Sequence, residues 1–216
     1  MAKPLIESLS QRNRDMFISV DKAQSLANDK TLLIIVDTHS PDFVESPKVH
    51  KACSKVVVID HHRKMVNYID NADVFFHEPT ASSASEMVTE LISYLGDDGL
   101  SKIEAEALLS GIMLDTKNFV INTGVRTFEA AAYLRQLGAD TVEVKRLMQN
   151  DFHDTIVKYQ IIKASRLYRQ EIAIAALNSA TSRVLAAQAA DELLNIAGIT
   201  GSFVLYPDGD QVVISA

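Results

Sequence analysis

Three short apolar runs in the first part of the chain each break off into ionisable residues: TLLIIVD (31–37), KVVVIDH (55–61) and DVFFHE (73–78). Runs of this length, rich in β-branched and aromatic residues, predict strands. The second is the most telling, because Val56 to Ile59 shows no polar alternation, the pattern of a strand buried on both faces. It nevertheless runs straight into Asp60, His61, His62 and Arg63. Apolar residues then recur at helical spacing in SSASEMVTELISYL (82–95), KIEAEALLSGIML (102–114) and RTFEAAAYLRQLG (126–138). Alternating strands and helices predict an α/β fold with a parallel sheet. Two more helical tracts, 140–149 and 154–169, precede a change of pattern. EIAIAAL (171–177), RVLAAQAADELLNIAG (183–198), SFVLYPDG (202–209) and DQVVISA (210–216) predict a smaller α/β unit with a hairpin turning at Asp208-Gly209. The expected organisation is a parallel-sheet domain over 1–150, a helical linker over 151–169 and a second domain over 170–216.

Composition narrows the function classes. With 216 residues, 47% of them hydrophobic, the chain can bury a sizeable core. Its net charge of −7 provides no broad basic footprint for a large nucleic acid, while a local pocket for a small anionic substrate stays compatible. Cys53 is the single cysteine, which excludes an intrachain disulfide or a thiolate metal cluster and fits a reducing compartment. No apolar run approaches the ~18 residues of a membrane span, and no charged-then-apolar leader is present. The expectation is a cytoplasmic protein without membrane contact in this chain.

Ligands in open parallel sheets bind beyond the carboxyl ends of the strands. Asp37, in DTH, and Asp60, in DHH, both follow apolar runs, so they are expected at one rim. Asp115 ends an apolar helix, where the helix dipole opposes a carboxylate unless Lys117 or a metal compensates. Asp37 also reads as a cap for the next helix. Carboxylates from Asp37 and Asp115 with an imidazole from His61 form a set suited to Mn²⁺ or Mg²⁺ rather than to thiolate-bound zinc. His39, His50, His77 and His153 lack a comparable setting and read as surface or structural histidines. Ser82 or Ser83 with Glu86 suggests a capped helix start, and Arg126 reads either as a phosphate contact or as a helix opener.

The blocks IIVDTH, VVVIDHHR, EPTASSASEMVTELI, EALLSGIMLDTKNF and TGVRTFEAAAYLRQLGAD, in this order, resemble the DHH phosphoesterases. Within them the resemblance is to the bacterial cyclic-di-AMP phosphodiesterases, which join a DHH unit to an associated C-terminal domain. It implies manganese-dependent hydrolysis of cyclic-di-AMP to linear pApA at a two-manganese site, with Mg²⁺ as the alternative ion. It also implies that Asp37, His61 and Asp115 are metal ligands, with Asp37 bridging. Asp60 would orient the imidazoles, and His62 would contact phosphate or donate a proton. Other DHH activities, such as nano-RNA hydrolysis or pyrophosphate cleavage, stay open, as does a non-catalytic nucleotide- or metal-binding module.

The sequence departs from the family pattern in three places. Residues 1–30 contain no histidine and no H-x-x-x-D-x-D motif, the sequence ends before a glycine-rich loop, and Asn122 stands where close relatives generally place arginine. The expectation is an internal piece of a longer, membrane-anchored protein. Its DHH sheet would lack a first strand and its second domain would be incomplete. Such a piece is expected to have little activity alone, and its less covered sheet side would favour a homodimer.

Overall fold

The computed structural model describes residues 3–12, 16–96, 100–149 and 151–216. Two compact units divide the chain, Met1–Gln149 and Asn150–Ala216. In the first, β1 (Leu32–Val36), β2 (Lys55–Asp60) and β3 (Val74–His77) form a parallel sheet in that order. The unalternated run is the central strand, with Val56, Val58 and Ile59 buried. Parallel strands share a direction, so the chain leaves β1 at Asp37 and β2 at His61 along one rim. The ladder continues to that rim, since the Asp37 N–H donates to the Ile59 carbonyl at 3.0 Å. One face of β1 is open: Leu32, Ile34 and Val36 are about half exposed.

Helices α1 (Lys3–Arg12), α2 (Val20–Leu26), α3 (Pro47–Ala52), α4 (Ala84–Leu95), α5 (Lys102–Asp115), α6 (Val125–Gln136) and α7 (Thr141–Leu147) complete this unit. Ser83 caps α4 by accepting from the Glu86 N–H at 3.0 Å, while the Glu86 carboxylate reaches back to the Ser82 N–H and hydroxyl. Two orphan donors at the helix start are thereby satisfied. Leu109, Ile112, Leu134 and Val144 form the buried seam of α5, α6 and α7, which fixes where α5 ends and therefore where Asp115 stands.

The second unit holds α8 (Phe152–Lys163), β4 (Arg166–Tyr168), β5 (Ile172–Ala176), α9 (Arg183–Leu194), β6 (Gly201–Asp208) and β7 (Gln211–Ser215). Its sheet runs β4-β5-β6-β7, with β5 and β6 parallel and the outer pairs antiparallel. Ile161 of α8 lies in this unit's core with Ala186, Ala189, Val204 and Tyr206. The end of the tract read as helical from sequence, 166–168, is a strand. Arg169 and Gln170, both at positive φ, turn the chain so that Arg166 pairs with Ile174, and sheet pairing overrides the helical spacing. The second hairpin is also displaced by one residue from the sequence reading. Asp208 pairs with Gln211, so the turn is Gly209-Asp210, with Gly209 at φ 59 supplying the positive φ such a turn requires. Among the described residues no helix is long and apolar enough to cross a membrane.

Candidate metal centre

Asp37 leaves β1 with φ 65, a left-handed conformation that aspartate tolerates better than most side chains. His61 follows β2 directly, and its Nδ1 lies 3.3 Å from the Ala81 carbonyl oxygen. A carbonyl only accepts, so in the neutral ring Nδ1 carries the proton and Nε2 holds the lone pair. That Nε2 stands 3.5 Å from Asp37 Oδ1 and 3.6 Å from Asp115 Oδ2. Asp37, His61 and Asp115 therefore meet, although β1, β2 and α5 carry them separately.

A lone pair facing two carboxylates is repulsive unless a cation or proton lies among them, and the titration shifts express that conflict. The Asp37 carboxylate beside His61 pushes the imidazole above its ordinary value; burial opposes this, and the charges of Asp115 and Asp37 add to it. Burial pushes the Asp115 carboxyl up, and the Asp37 charge pushes it further against partial relief from His61 and His62. One nitrogen and two carboxylate oxygens fit a divalent cation of the Mn²⁺ or Mg²⁺ type, with no thiolate at hand. Asp37, His61 and His62 form a second overlapping group, each with a ligand atom within 4.8 Å of the others. Asp115 joins them through its distance to His61.

Asp60 plays a different part. It is fully buried and accepts hydrogen bonds from His39 Nδ1, from His62 Nδ1 at 2.7 Å and from the His62 backbone N–H at 3.2 Å. Burial alone would raise its carboxyl, but the hydrogen bonds from His62 and His39 outweigh it and hold Asp60 below the ordinary range. An ionised Asp60 takes the Nδ1 proton of His62 as its donor, which leaves His62 Nε2 as the basic nitrogen.

Sequence reasoning left two histidines outside this assembly. His39 is buried against Asp60, and His77 Nε2 lies 2.6 Å from the His62 carbonyl oxygen, bracing the loop after β2. The signal available for His39 was its place two residues beyond the strand-end Asp37; His77 offered only its place at the end of the third apolar run. Asp37, His39, Asp60, His62, Arg63 and Met65 line an open cleft of about 580 Å³. Arg126 starts α6 elsewhere, and its Nε and Nη2 both donate at 2.6 Å to the two carboxylate oxygens of Glu90, which raises its pKa.

Comparison with known proteins follows the same residues. The profile of the DHH family, N-terminal domain, matches residues 3–112, about half of the chain. The chain is 42% identical over 202 residues to the cyclic-di-AMP phosphodiesterase GdpP of Bacillus subtilis, covering 91% of this chain and 31% of that protein. It is 40% identical over 188 residues to the cyclic-di-AMP phosphodiesterase PdeA of Listeria monocytogenes, covering 86% and 29%. The chain thus spans about a third of the length of these relatives. A solved structure of an exopolyphosphatase-related protein from Bacteroides fragilis superposes with a TM-score of 0.79 at 19% identity, covering 99% of this chain and 65% of that one, a likeness of fold. Since the match takes in both strand-end motifs and α5 up to Ile112, the chain belongs to the DHH family.

Proposed function

We propose that this chain provides metal-binding residues for a divalent-metal phosphodiesterase that hydrolyses cyclic-di-AMP to linear pApA, with manganese as the working ion. The observation that carries the reading is the convergence of Asp37 and Asp115 on the lone pair of His61, within 3.5 and 3.6 Å. Two relatives at 40% and 42% identity bear the name cyclic-di-AMP phosphodiesterase, which supports the substrate. Bound there, a divalent cation would lower the pKa of water and offset charge on the phosphate oxygens. The protein's own contribution is positional and electrostatic. Asp37, His61 and Asp115 would hold the cation, while Asp60 fixes His62 with Nε2 available to hydrogen-bond a phosphate oxygen or exchange a proton with the leaving group. Arg63 lines the same cleft and has no carboxylate partner among the described residues, so it suits the phosphate better than Arg126, which Glu90 already neutralises. The single buried Cys53 supports a reducing, cytoplasmic setting.

The test is cyclic-di-AMP hydrolysis with Mn²⁺ by a chain extended to the full length of its relatives. Hydrolysis should fall by about a thousandfold or more in His61→Ala, since cooperating groups fail together. Near-normal turnover by His61→Ala would sink the reading.

A further inference from the structure

His39 is fully occupied yet plays no part in the chemistry above. Its Nε2 accepts the Met65 backbone N–H at 2.9 Å, so that nitrogen carries the lone pair and Nδ1 carries the proton. Nδ1 in turn donates to Asp60 Oδ2. The other oxygen, Oδ1, receives both the backbone N–H and the Nδ1 proton of His62. Four groups are thus linked in one order: Met65 N–H, the His39 imidazole, the Asp60 carboxylate, the His62 imidazole. The His39 ring is 2% exposed, with His77 edge-on at 5.2 Å, so it has little room to turn. Its backbone carbonyl also accepts the Ile69 N–H at 2.9 Å.

We infer that His39 is a positioning residue, one that fixes the Asp60 carboxylate so that His62 is held in the Nδ1-protonated form with its Nε2 lone pair available. A carboxylate engaged on one oxygen only can rotate about its Cβ–Cγ bond. His39 removes that freedom by holding Oδ2 while His62 takes Oδ1, and the Met65 amide removes the alternative tautomer of His39 itself. Hydrogen-bonded partners of this kind set the tautomer and orientation of site histidines. The inference rests on the metal-site reading above, but its first readout needs no metal.

Two variants separate the ring's two hydrogen bonds. The side-chain amide of His39→Asn falls near the Nδ1 position and can still donate to Asp60. That of His39→Gln falls near Nε2 and can still accept from Met65, but the donor to Asp60 is lost. In the metal-free 216-residue chain, ¹⁵N signals of the His62 ring should show the Nδ1–H form for the unaltered chain and for His39→Asn. His39→Gln, folded by circular dichroism, should shift towards the Nε2–H form that a free neutral imidazole prefers. Mn²⁺-dependent hydrolysis by the full-length chain should then stay within about threefold for His39→Asn and fall by about tenfold or more for His39→Gln, because His62 acts at the phosphate and not as an ion ligand. Equal behaviour of the two variants would overturn the inference, whether both keep the Nδ1–H signature or both fail to fold. If the unaltered chain binds no Mn²⁺ while the His62 signals separate the variants, the metal reading fails and the positioning role stands.

Discussion

Asp60 carries a charge on a buried side chain, and three hydrogen bonds make that tolerable. Asp60→Asn replaces an acceptor-only group with an amide, which sets an N–H₂ against one of the donors from His39 or His62. We expect a loss of about 3 kcal/mol in urea unfolding, the scale for breaking a buried charged network. The pH dependence has a defined sign. The folded carboxyl titrates below the unfolded value of 3.8, so its stabilisation is complete above 3.8 and disappears as the pH falls through the lower folded value. The stability gap between the two chains should therefore narrow in acid, and unfolding curves between pH 5 and about 2 check it. His61 has the opposite sign. Its folded value lies above 6.5, so without metal its stabilisation is complete below 6.5 and is lost as the pH rises through the folded value. The same proton competes with a cation for Nε2, so Mn²⁺ affinity measured by calorimetry should keep rising with pH above 6.5, and that rise should vanish in His61→Gln. That Asp37, His61 and Asp115 come together was legible in sequence from their places at the ends of apolar segments taken with the resemblance to the DHH phosphoesterases. His39 was not, because its meaning depends on Asp60, 21 residues away, and on the loop to Met65 folding back over it.

Elements were readable where burial dictates their period and less so where turns decide. The unalternated β-branched run at 56–59 read as a strand covered on both sides, and it is the central one. Strand β4 escaped and the hairpin turn was read one residue early, because both depend on positive φ at a few residues, which hydrophobic periodicity does not record. The α4–α5 contact is similarly hidden in a single glycine. A Cβ on Gly111 would stand 2.1 Å from Ser85 Oγ and 3.0 Å from Ser85 Cβ, so the two helices approach as closely as they do only because position 111 has no side chain. Gly111→Ala should gain about 1 kcal/mol of helix propensity and lose more to overpacking, for a net destabilisation of about 1–2 kcal/mol. Adding Ser85→Ala should recover part of it, since the nearest clash is with the hydroxyl. Thermal unfolding of the single and double variants checks both; a stabilised Gly111→Ala would show that the helices separate without cost. The same contact helps set the end of α5, so the single variant should also weaken Mn²⁺ binding through Asp115.

On the scale of the whole chain, the candidate ligands Asp37, His61 and Asp115, together with Asp60 and His62, all lie in the unit Met1–Gln149, and each unit has a core of its own. Units with separate cores can fold independently. Residues 1–149 alone should therefore bind Mn²⁺ within about threefold of the 216-residue chain, measured by the same titration. Residues 150–216 alone should bind none at that affinity. Sharing of one cation by the strand-end Asp37 and the helix-end Asp115 through His61 is read out by calorimetric titration of Mn²⁺ into the 216-residue chain and into Asp37→Asn. Asparagine tolerates the positive φ at position 37 and removes only the charge, so the loop keeps its shape. Binding should be saturable and weaken by about tenfold or more in Asp37→Asn; equal affinity in the two chains, or no binding by either, would show that Asp37 and His61 hold no common ion.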